Sequence, residues 1–304
     1  MTGEFAFIAA LRALASDPAA RGLNDDCAVL PFGGEVLVLT HDMMVAGLHF
    51  LPDQDPADVA WKLVATNLSD LAAKGAAPVG VLLGYQLTGG RFAGGEEPFV
   101  AGLRAALAHY RVPLLGGDTV GASAIPNAPQ ALGLTAIGRA THTPVPGRDG
   151  AIAGDALYIT GPVGAAMIGL EAMRAGATNP ARAPKLTEAY RRPVALLAEG
   201  IALAPHVHAM MDVSDGVLLD ARRMAVASGV TIAIDSAAVP IATPEHRRAE
   251  ALRWGDDYQL LFAAPANAQL PVAVTRIGTV LAQGAVPLLL DGAVPLGGPL
   301  GYTH

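Results

Sequence analysis

Two patterns of hydrophobic and polar positions take turns along the chain: short apolar runs and helical spacing. Their succession predicts strands interleaved with helices. Helical spacing in the first half predicts one helix from Pro56 to Ala73, begun by a proline, and another from Glu96 to Tyr110. Short apolar runs predict strands at residues 35–40, 79–87, 112–115 and 132–139. The first half is therefore expected to mix strands with helices.

The second half repeats this mixture after a segment without periodicity. Residues 143–154 are rich in proline and glycine, which indicates a linker. Beyond it, helices are predicted at residues 165–175, 186–203 and 217–228, and strands at residues 156–160, 209–213, 231–235 and 257–263. A last pair, 272–281 and 286–294, is predicted as a hairpin-like unit that turns at Asp291-Gly292.

Chain length supports two units rather than one, because single cores usually stop growing at about 250 to 300 residues. The prediction for this chain of 304 residues is an α+β protein, with α/β character mixed in. Its N-terminal domain is expected at residues 1–142 and its C-terminal domain at residues 155–304, with residues 143–154 between them.

Composition excludes several classes of partner. The formal net charge is -7, whereas nonspecific binding to nucleic acid or to an anionic membrane needs a positive field. Residues 119–138 are the longest uncharged stretch, but Gly, Pro, Asn and Gln interrupt it, so it does not predict a transmembrane helix. The MetThrGlyGluPhe start lacks the features of a signal peptide.

The single cysteine, Cys27, cannot form an internal disulfide, which fits a cytoplasmic protein. We interpret Cys27 as a small packing residue, with a reactive thiol as the alternative.

Aspartates stand where apolar runs end, although only 15% of the residues are charged. These positions are Asp25, Asp26, Asp42, Asp118, Asp212 and Asp215. Carboxylates in such turns are typical oxygen ligands of hard divalent cations, and the cations indicate a phosphate substrate. Mg²⁺ usually takes one or two carboxylates, so convergence of Asp26, Asp42, Asp70, Asp118 and Asp212 would require several ions.

Asp70 differs from the others because it lies on a predicted helix, with Asn67 on the same face. A salt bridge to Lys74, four residues later, fits the spacing equally well. No GxxxxGK[ST] loop, strand-linked GxGxxG or GxSxG elbow occurs in the sequence. An ATP user of this kind is expected to hold the triphosphate through metals, with few basic side chains. Arg139 is the cation that we place on a phosphate, with an ordinary surface residue as the alternative.

Four other features leave two interpretations open. Gly161-Pro-Val-Gly164 precedes a helix and either binds an anion or is a plain turn. His49 either donates to a substrate phosphate or is structural. Ser214 is expected to cap the helix that follows Gly216, which is compatible with a phosphate contact. His206 and His208 lack the neighbours that a zinc site needs.

Taken in order, the motifs resemble the thiamine-monophosphate kinase family, of the aminoimidazole ribonucleotide synthetase-like superfamily. The resemblance runs nearly end to end, through these segments: GlyGluPhe at 3–5, AspAspCysAla at 25–28, AspMetMetValAlaGlyLeuHisPhe at 42–50, AspProAlaAspValAla at 55–60, AsnLeuSerAspLeuAlaAlaLysGlyAlaAlaPro at 67–78, GlyGlyAspThr at 116–119, AspValSerAspGly at 212–216 and AspAspTyrGlnLeuLeuPhe at 256–262. Each motif alone is modest, but their order is highly specific. Three positions differ from the family pattern: His41 replaces a serine or threonine, Asp256 replaces a glutamate, and Asn24 replaces a glycine.

The resemblance implies ATP-dependent phosphorylation of thiamine monophosphate to thiamine diphosphate, by direct in-line transfer. It implies a site for several Mg²⁺ ions at Asp26, Thr40, His41, Asp42, Asp70, Asp118, Asp212 and Asp215. It implies ATP contacts at Tyr110, Gly117, Asp118, Arg139 and Ser214, and thiamine-phosphate contacts at His49, Asp256 and Tyr302. It also implies a homodimer formed through the N-terminal domains, with each active site in a cleft between domains. Asp42, Asp70 and Asp212 are the residues that we expect to be catalytic.

Two other functions remain as alternatives at this stage. One is a related enzyme that uses ATP to activate a carbonyl or selenide oxygen, which would need a different amino-terminal segment, such as a catalytic cysteine or a Gly-rich tail. The other is a nucleotide-binding protein that has lost turnover. The intact set of aspartates argues against that loss.

Overall fold

The computed structural model of the chain describes residues 4–89, 94–122, 128–176 and 184–303, so Gly3 of the first motif lies outside the described residues. The elements of the first half are α1 (Glu4–Arg12), β1 (Ala28–Phe32), β2 (Glu35–Val45), α2 (Pro56–Ala73), β3 (Ala76–Gln86), α3 (Glu97–Tyr110), β4 (Leu114–Val120) and β5 (Ala131–Ala140). Those of the second half are β6 (Asp155–Ile159), α4 (Ala165–Arg174), α5 (Pro184–Arg191), α6 (Leu197–Leu203), β7 (Ala209–Asp212), α7 (Val217–Ser228), β8 (Thr231–Ile234), α8 (Arg248–Ala251), β9 (Leu260–Pro265), β10 (Thr275–Leu281) and β11 (Leu288–Leu290). The predicted mixture of helices and sheets is confirmed.

The first sheet has the strand order β1-β2-β5-β3-β4 and carries α2 on one face. The Asp55 carboxylate accepts from the Ala57 amide and Pro56 follows it, which is a favourable start for a helix. Leu63, Leu68 and Leu71 of α2 are completely buried in the core beneath the sheet. The other side of the sheet has no such cover from the described residues: β4, at its edge, is exposed along its whole length.

The second sheet has the order β11-β8-β10-β6-β9-β7, with α7 packed on it through Val217, Leu218 and Met224. α2 also contacts β7, so this helix joins the two sheets. As a result, the ends of β2 and β7 and one face of α2 approach one another. Among the described residues, none of the helices is both long enough and apolar enough to cross a membrane.

Two predictions about the second half are wrong. The predicted helix at residues 186–203 is two helices, α5 and α6, because Pro193 between them has no amide hydrogen to donate. The predicted terminal hairpin does not form: β10 pairs with β8 and β6, whereas β11 pairs in parallel with the other edge of β8. The strand β1 was not predicted from the sequence. It is a short edge strand, and this position tolerates Pro31, which has no amide hydrogen to donate.

Candidate active site

A cavity of about 990 Å³ opens between the two halves of the molecule, which is enough for a nucleotide and a second small substrate. Both halves contribute to its lining. The residues that were predicted from the sequence and that line it are Asp26, Asp42, His49, Asp70, Asp212, Ser214, Asp215, Asp256 and Tyr302.

Three carboxylates form the centre of one part of the cavity lining. Asp26 precedes β1, Asp70 lies on α2 and Asp212 ends β7, and one oxygen of each lies within 4.8 Å of the others. We call these three residues the carboxylate cluster. Asp42 on β2 lines the same cavity. The structure therefore brings together aspartates that are up to 186 positions apart in sequence (212 minus 26).

Asp26 is surrounded by the cations of the protein itself. The Lys74 ammonium lies 2.7 Å from one of its oxygens, and the Arg148 guanidinium pairs with the other. Burial alone would raise the pKa of Asp26, but Arg148 and Lys74 together outweigh burial and hold it below its usual range. Lys74 is completely buried and also contacts Asp25 at 2.6 Å and the Met210 carbonyl at 3.0 Å. Asp26 is therefore an anion fixed in place by the protein.

Asp70 and Asp212 have hydroxyl donors in place of cations. Thr40 Oγ1 lies 2.5 Å from Asp70, and Ser69 Oγ lies 2.6 Å from Asp212. Burial, strengthened by the neighbouring carboxylates, raises the pKa of Asp212 to about 7 and the pKa of Asp70 well above its usual value. Lys74 pairs with Asp25 and Asp26 and not with Asp70, so the alternative of an i,i+4 salt bridge is wrong.

The carboxylate cluster suits a hard divalent cation. Its donor atoms are oxygens, they converge from three elements, and Asp70 and Asp212 have no ion pair with a lysine or arginine among the described residues. A bound cation would supply the charge that these two carboxylates lack. Asn67 supports the arrangement, because its side-chain oxygen accepts from the Asp42 amide at 2.9 Å.

A second part of the cavity lining, which we call the acceptor end, holds the predicted substrate residues His49, Asp256 and Tyr302. Lys62 Nζ lies 2.9 Å from Asp256 Oδ2 and 3.1 Å from the His49 carbonyl oxygen. The Tyr258 hydroxyl donates to Asp256 Oδ1 at 2.9 Å. Tyr302 is 45% exposed, and its backbone amide donates to the Asp215 carbonyl at 3.0 Å. An anion and an aromatic ring thus border the same space.

Other predicted site residues lie outside the lining of this cavity. Thr40 reaches the carboxylate cluster through its hydroxyl, which lies 2.5 Å from Asp70 Oδ2 and 3.4 Å from the Asp26 carbonyl oxygen. His41 lies on the open face of the first sheet, where Nδ1 lies 2.9 Å from Thr135 Oγ1. Asp118 is on the exposed edge strand, and Arg139 is a surface residue 3.8 Å from Glu35.

Gly117 and Tyr110 lie on the first-half scaffold, and each has a packing role there. A Cβ at Gly117 would lie 1.9 Å from the Leu83 carbonyl oxygen, so β3 and β4 pair closely only with glycine at that position. The Tyr110 hydroxyl accepts from the Ala195 amide at 3.0 Å, and its ring lies 5.9 Å from that of Trp61.

Seven basic side chains line the cavity: Arg12, Lys62, Arg148, Arg174, Arg222, Arg223 and Arg253. Three of them pair with aspartates of the lining, namely Lys62, Arg148 and Arg223, so the expectation that few basic side chains hold the triphosphate stays a prediction. The seven could not be predicted because they come from separate segments without a common spacing. Arg148 was missed for this reason, and Lys74 was considered only as a partner of Asp70. Ser69 could have been found, since it stands with Asn67 in the AsnLeuSerAsp motif of Asp70.

Three smaller questions are also resolved. At the Gly161–Gly164 turn, the protein supplies its own anion: the Asp257 carboxylate accepts from the Gly164 amide at 2.7 Å. Ser214 does not cap α7, which follows Gly216 without any side-chain cap. Cys27 is buried in the first core, and burial raises its thiol pKa, as a packing residue requires.

Comparison with known proteins assigns the fold and the family. Residues 24–140 match the model of the N-terminal domain of AIR synthase related protein, and residues 153–286 match that of its C-terminal domain. The thiamine-monophosphate kinase of Caulobacter vibrioides is 35% identical, over 95% of this chain and 86% of its own. That of Escherichia coli K12 is 35% identical, over 84% of this chain and 81% of its own.

A solved structure extends the likeness to three dimensions. AaThiL complexed with AMPPCP and TMP superposes with a TM-score of 0.87 at 28% identity, over 99% of this chain and 97% of its own. The order of motifs, the two matched domain models and the sequence identity over nearly the whole length agree. The chain belongs to the thiamine-monophosphate kinase family.

Proposed function

We propose that this protein transfers the γ-phosphoryl group of ATP to thiamine monophosphate, which yields thiamine diphosphate and ADP. The observation that carries the proposal is that one cavity is lined both by the carboxylate cluster and by the predicted thiamine-phosphate residues. The relative in complex with AMPPCP and TMP supports the choice of substrates. Residues 1–142 and 155–304 would form the two walls, joined by 143–154.

The chemistry asks mainly for positioning and charge compensation. In this transfer an oxygen of the acceptor phosphate attacks the γ-phosphorus, and the bond to the β-phosphate oxygen breaks in line with it. The acceptor oxygen is already ionised near neutral pH, so no general base is needed. Mg²⁺ ions held by Asp26, Asp42, Asp70 and Asp212 would supply the charge that lets two polyanions approach. Because Asp26 stays anionic, it provides a fixed ligand, and Asn67 fixes the backbone at Asp42.

The acceptor end would hold thiamine monophosphate in one orientation. His49, Asp256 and Tyr302 border it, and Tyr302 presents a ring for contact with a substrate ring. We place ATP beside the carboxylate cluster, with Ser214 and Asp215 between the cluster and the acceptor residues, because the Asp256 amide donates to the Ser214 carbonyl and the Tyr302 amide to the Asp215 carbonyl. This arrangement puts the donor and acceptor phosphates at the centre of one cavity, which is what in-line transfer requires.

We also propose that the protein is a homodimer through the open face of the first sheet. Leu82, Leu114, Leu115 and Val120 are exposed on and beside the edge strand β4, which is an unusual amount of apolar surface for an edge. His41, Asp118 and Arg139 lie on this side of the sheet, outside the lining of the cavity. A second subunit on this face would bring those three residues toward an active site of the pair.

Incubation of the purified protein with ATP, Mg²⁺ and thiamine monophosphate tests the reaction, with thiamine diphosphate measured by chromatography. Unphosphorylated thiamine is the matched acceptor control, and we expect no product from it because it lacks the ionised acceptor oxygen. Formation of ADP with another acceptor, and none with thiamine monophosphate, would overturn the proposal.

Light scattering of the Leu115→Glu variant tests the dimer: a monomer is expected, and an unchanged dimer would contradict this interface. We propose a cytoplasmic setting, which suits the free thiol of Cys27.

A further inference from the structure

Lys62 is a buried cation whose role the family resemblance does not assign. It lies on α2, two turns before Asp70, and its side chain is 2% exposed. An ammonium at this depth needs partners, because the loss of water from a charge is costly. It has three: Asp256 Oδ2 at 2.9 Å, the His49 carbonyl at 3.1 Å and the face of the Tyr190 ring at 3.9 Å.

Lys62 and its three partners come from four separate segments and from both halves of the chain. Lys62 is on α2, His49 is in the turn after β2, Tyr190 is on α5 and Asp256 precedes β9. The Tyr190 hydroxyl also donates to the His49 carbonyl, at 3.3 Å. Lys62 is therefore the point at which the two predicted substrate residues, His49 and Asp256, are joined.

The geometry favours an indirect role for Lys62. An ammonium has three hydrogens, and the carboxylate, the carbonyl and the ring take all three directions. A substrate phosphate would have to displace one of these partners in order to bind Lys62. Asp256, by contrast, is 31% exposed at its side chain and borders the cavity while both its oxygens are held by Lys62 and Tyr258.

We propose that Lys62 is a positioning residue that sets the affinity for the phosphorylated acceptor. It neutralises Asp256, which would otherwise repel the acceptor's phosphate, and it fixes Asp256 relative to the His49 turn. Asp256 has a left-handed backbone, with φ of 65°, so its orientation depends on such contacts. The inference rests on the proposed function, because the acceptor is taken to be thiamine monophosphate.

The test is the Lys62→Met variant, which keeps the length of the side chain and removes its charge. We expect KM for thiamine monophosphate to rise about tenfold or more, equivalent to about 1.4 kcal/mol, while KM for ATP stays within about twofold. The double variant Lys62→Met with Asp256→Asn removes the unpaired carboxylate as well, so we expect it to recover part of the lost affinity. Lys62→Arg, which keeps the charge, should lie between the parent and Lys62→Met.

Arg191→Met is the matched control. Arg191 pairs with the buried Asp58 at 2.5 Å, so this variant also breaks a buried ion pair between α5 and α2, but neither residue lines the cavity and neither side chain pairs with Lys62. It should lower the thermal midpoint and leave both KM values unchanged.

Equal increases in both KM values, or no change in KM for thiamine monophosphate in folded Lys62→Met, would overturn the inference. If Lys62→Met does not fold, Lys62→Gln takes its place in the same comparison. Failure of the parent protein to form thiamine diphosphate would refute the proposed function itself, so the two outcomes are distinguishable.

Discussion

The carboxylates in the two parts of the cavity lining are compensated in different ways. At the acceptor end, Asp256 faces one protein ammonium, that of Lys62, and its charge is balanced. At the carboxylate cluster, the cations Lys74 and Arg148 are both used by Asp26, and Asp70 and Asp212 are left with hydroxyl donors. Protein groups thus balance the charge of Asp256, whereas no lysine or arginine of the described residues pairs with Asp70 or Asp212. The difference supports the proposed positioning role of Asp256 and the proposed metal-binding role of the carboxylate cluster.

Removal of a carboxylate from the cluster should have the largest effect on the reaction. We expect Asp212→Asn to lower kcat by about a thousandfold, because the metal that compensates the phosphate charges would lose a ligand. Asp42→Asn should act in the same direction. Asp155→Asn is the control, since Asp155 is equally buried but pairs with His208 outside the cavity lining, and it should keep kcat within about twofold. Steady-state kinetics measure kcat for each variant. An Asp212→Asn enzyme with most of the parent activity would refute this metal assignment.

Removal of Lys74, one of the two cations that fix Asp26, should instead lower the free energy of unfolding. Lys74→Met leaves Asp25 and Asp26 buried beside the cluster with one fewer positive charge. Loss of one partner from a buried ion pair costs about 3 to 5 kcal/mol, and we expect a decrease in the free energy of unfolding in that range. Urea denaturation in EDTA measures it. A decrease below about 1 kcal/mol would mean that Arg148 alone compensates Asp26.

The sequence predicted the carboxylates better than the cations that pair with them. Asp26, Asp70 and Asp212 could be found because each follows or carries a recognisable local pattern. The roles of Lys62, Lys74 and Arg148 could not, because a basic residue looks the same in sequence whether its charge is in water or paired inside the protein. The fold shows the same limit: α2 was predicted at its observed bounds from its proline start and spacing, whereas β11 was misassigned because pairing with β8 is a long-range choice. Local patterns predict elements, and the partners of buried charges depend on tertiary contacts.

The smallest expected effect is a change in stability. It distinguishes Asp70, whose bonded partner is a hydroxyl, from Asp26, which pairs with two cations. Burial and neighbouring carboxylates raise the pKa of Asp70, so the folded protein keeps a proton that the unfolded chain releases above about pH 4. The stability of the metal-free parent therefore falls as pH rises through the folded-state pKa, and an asparagine at this position cannot contribute to that fall. We expect Asp70→Asn to be more stable than the parent by about 1 kcal/mol at about pH 8 in EDTA, with the advantage shrinking toward about pH 5. Urea unfolding at both pH values measures it, and added Mg²⁺ should stabilise the parent more than the variant. If Asp70→Asn were less stable than the parent at the higher pH without metal, Asp70 would be compensated by the protein after all, and the contrast between the two parts of the cavity lining would fail.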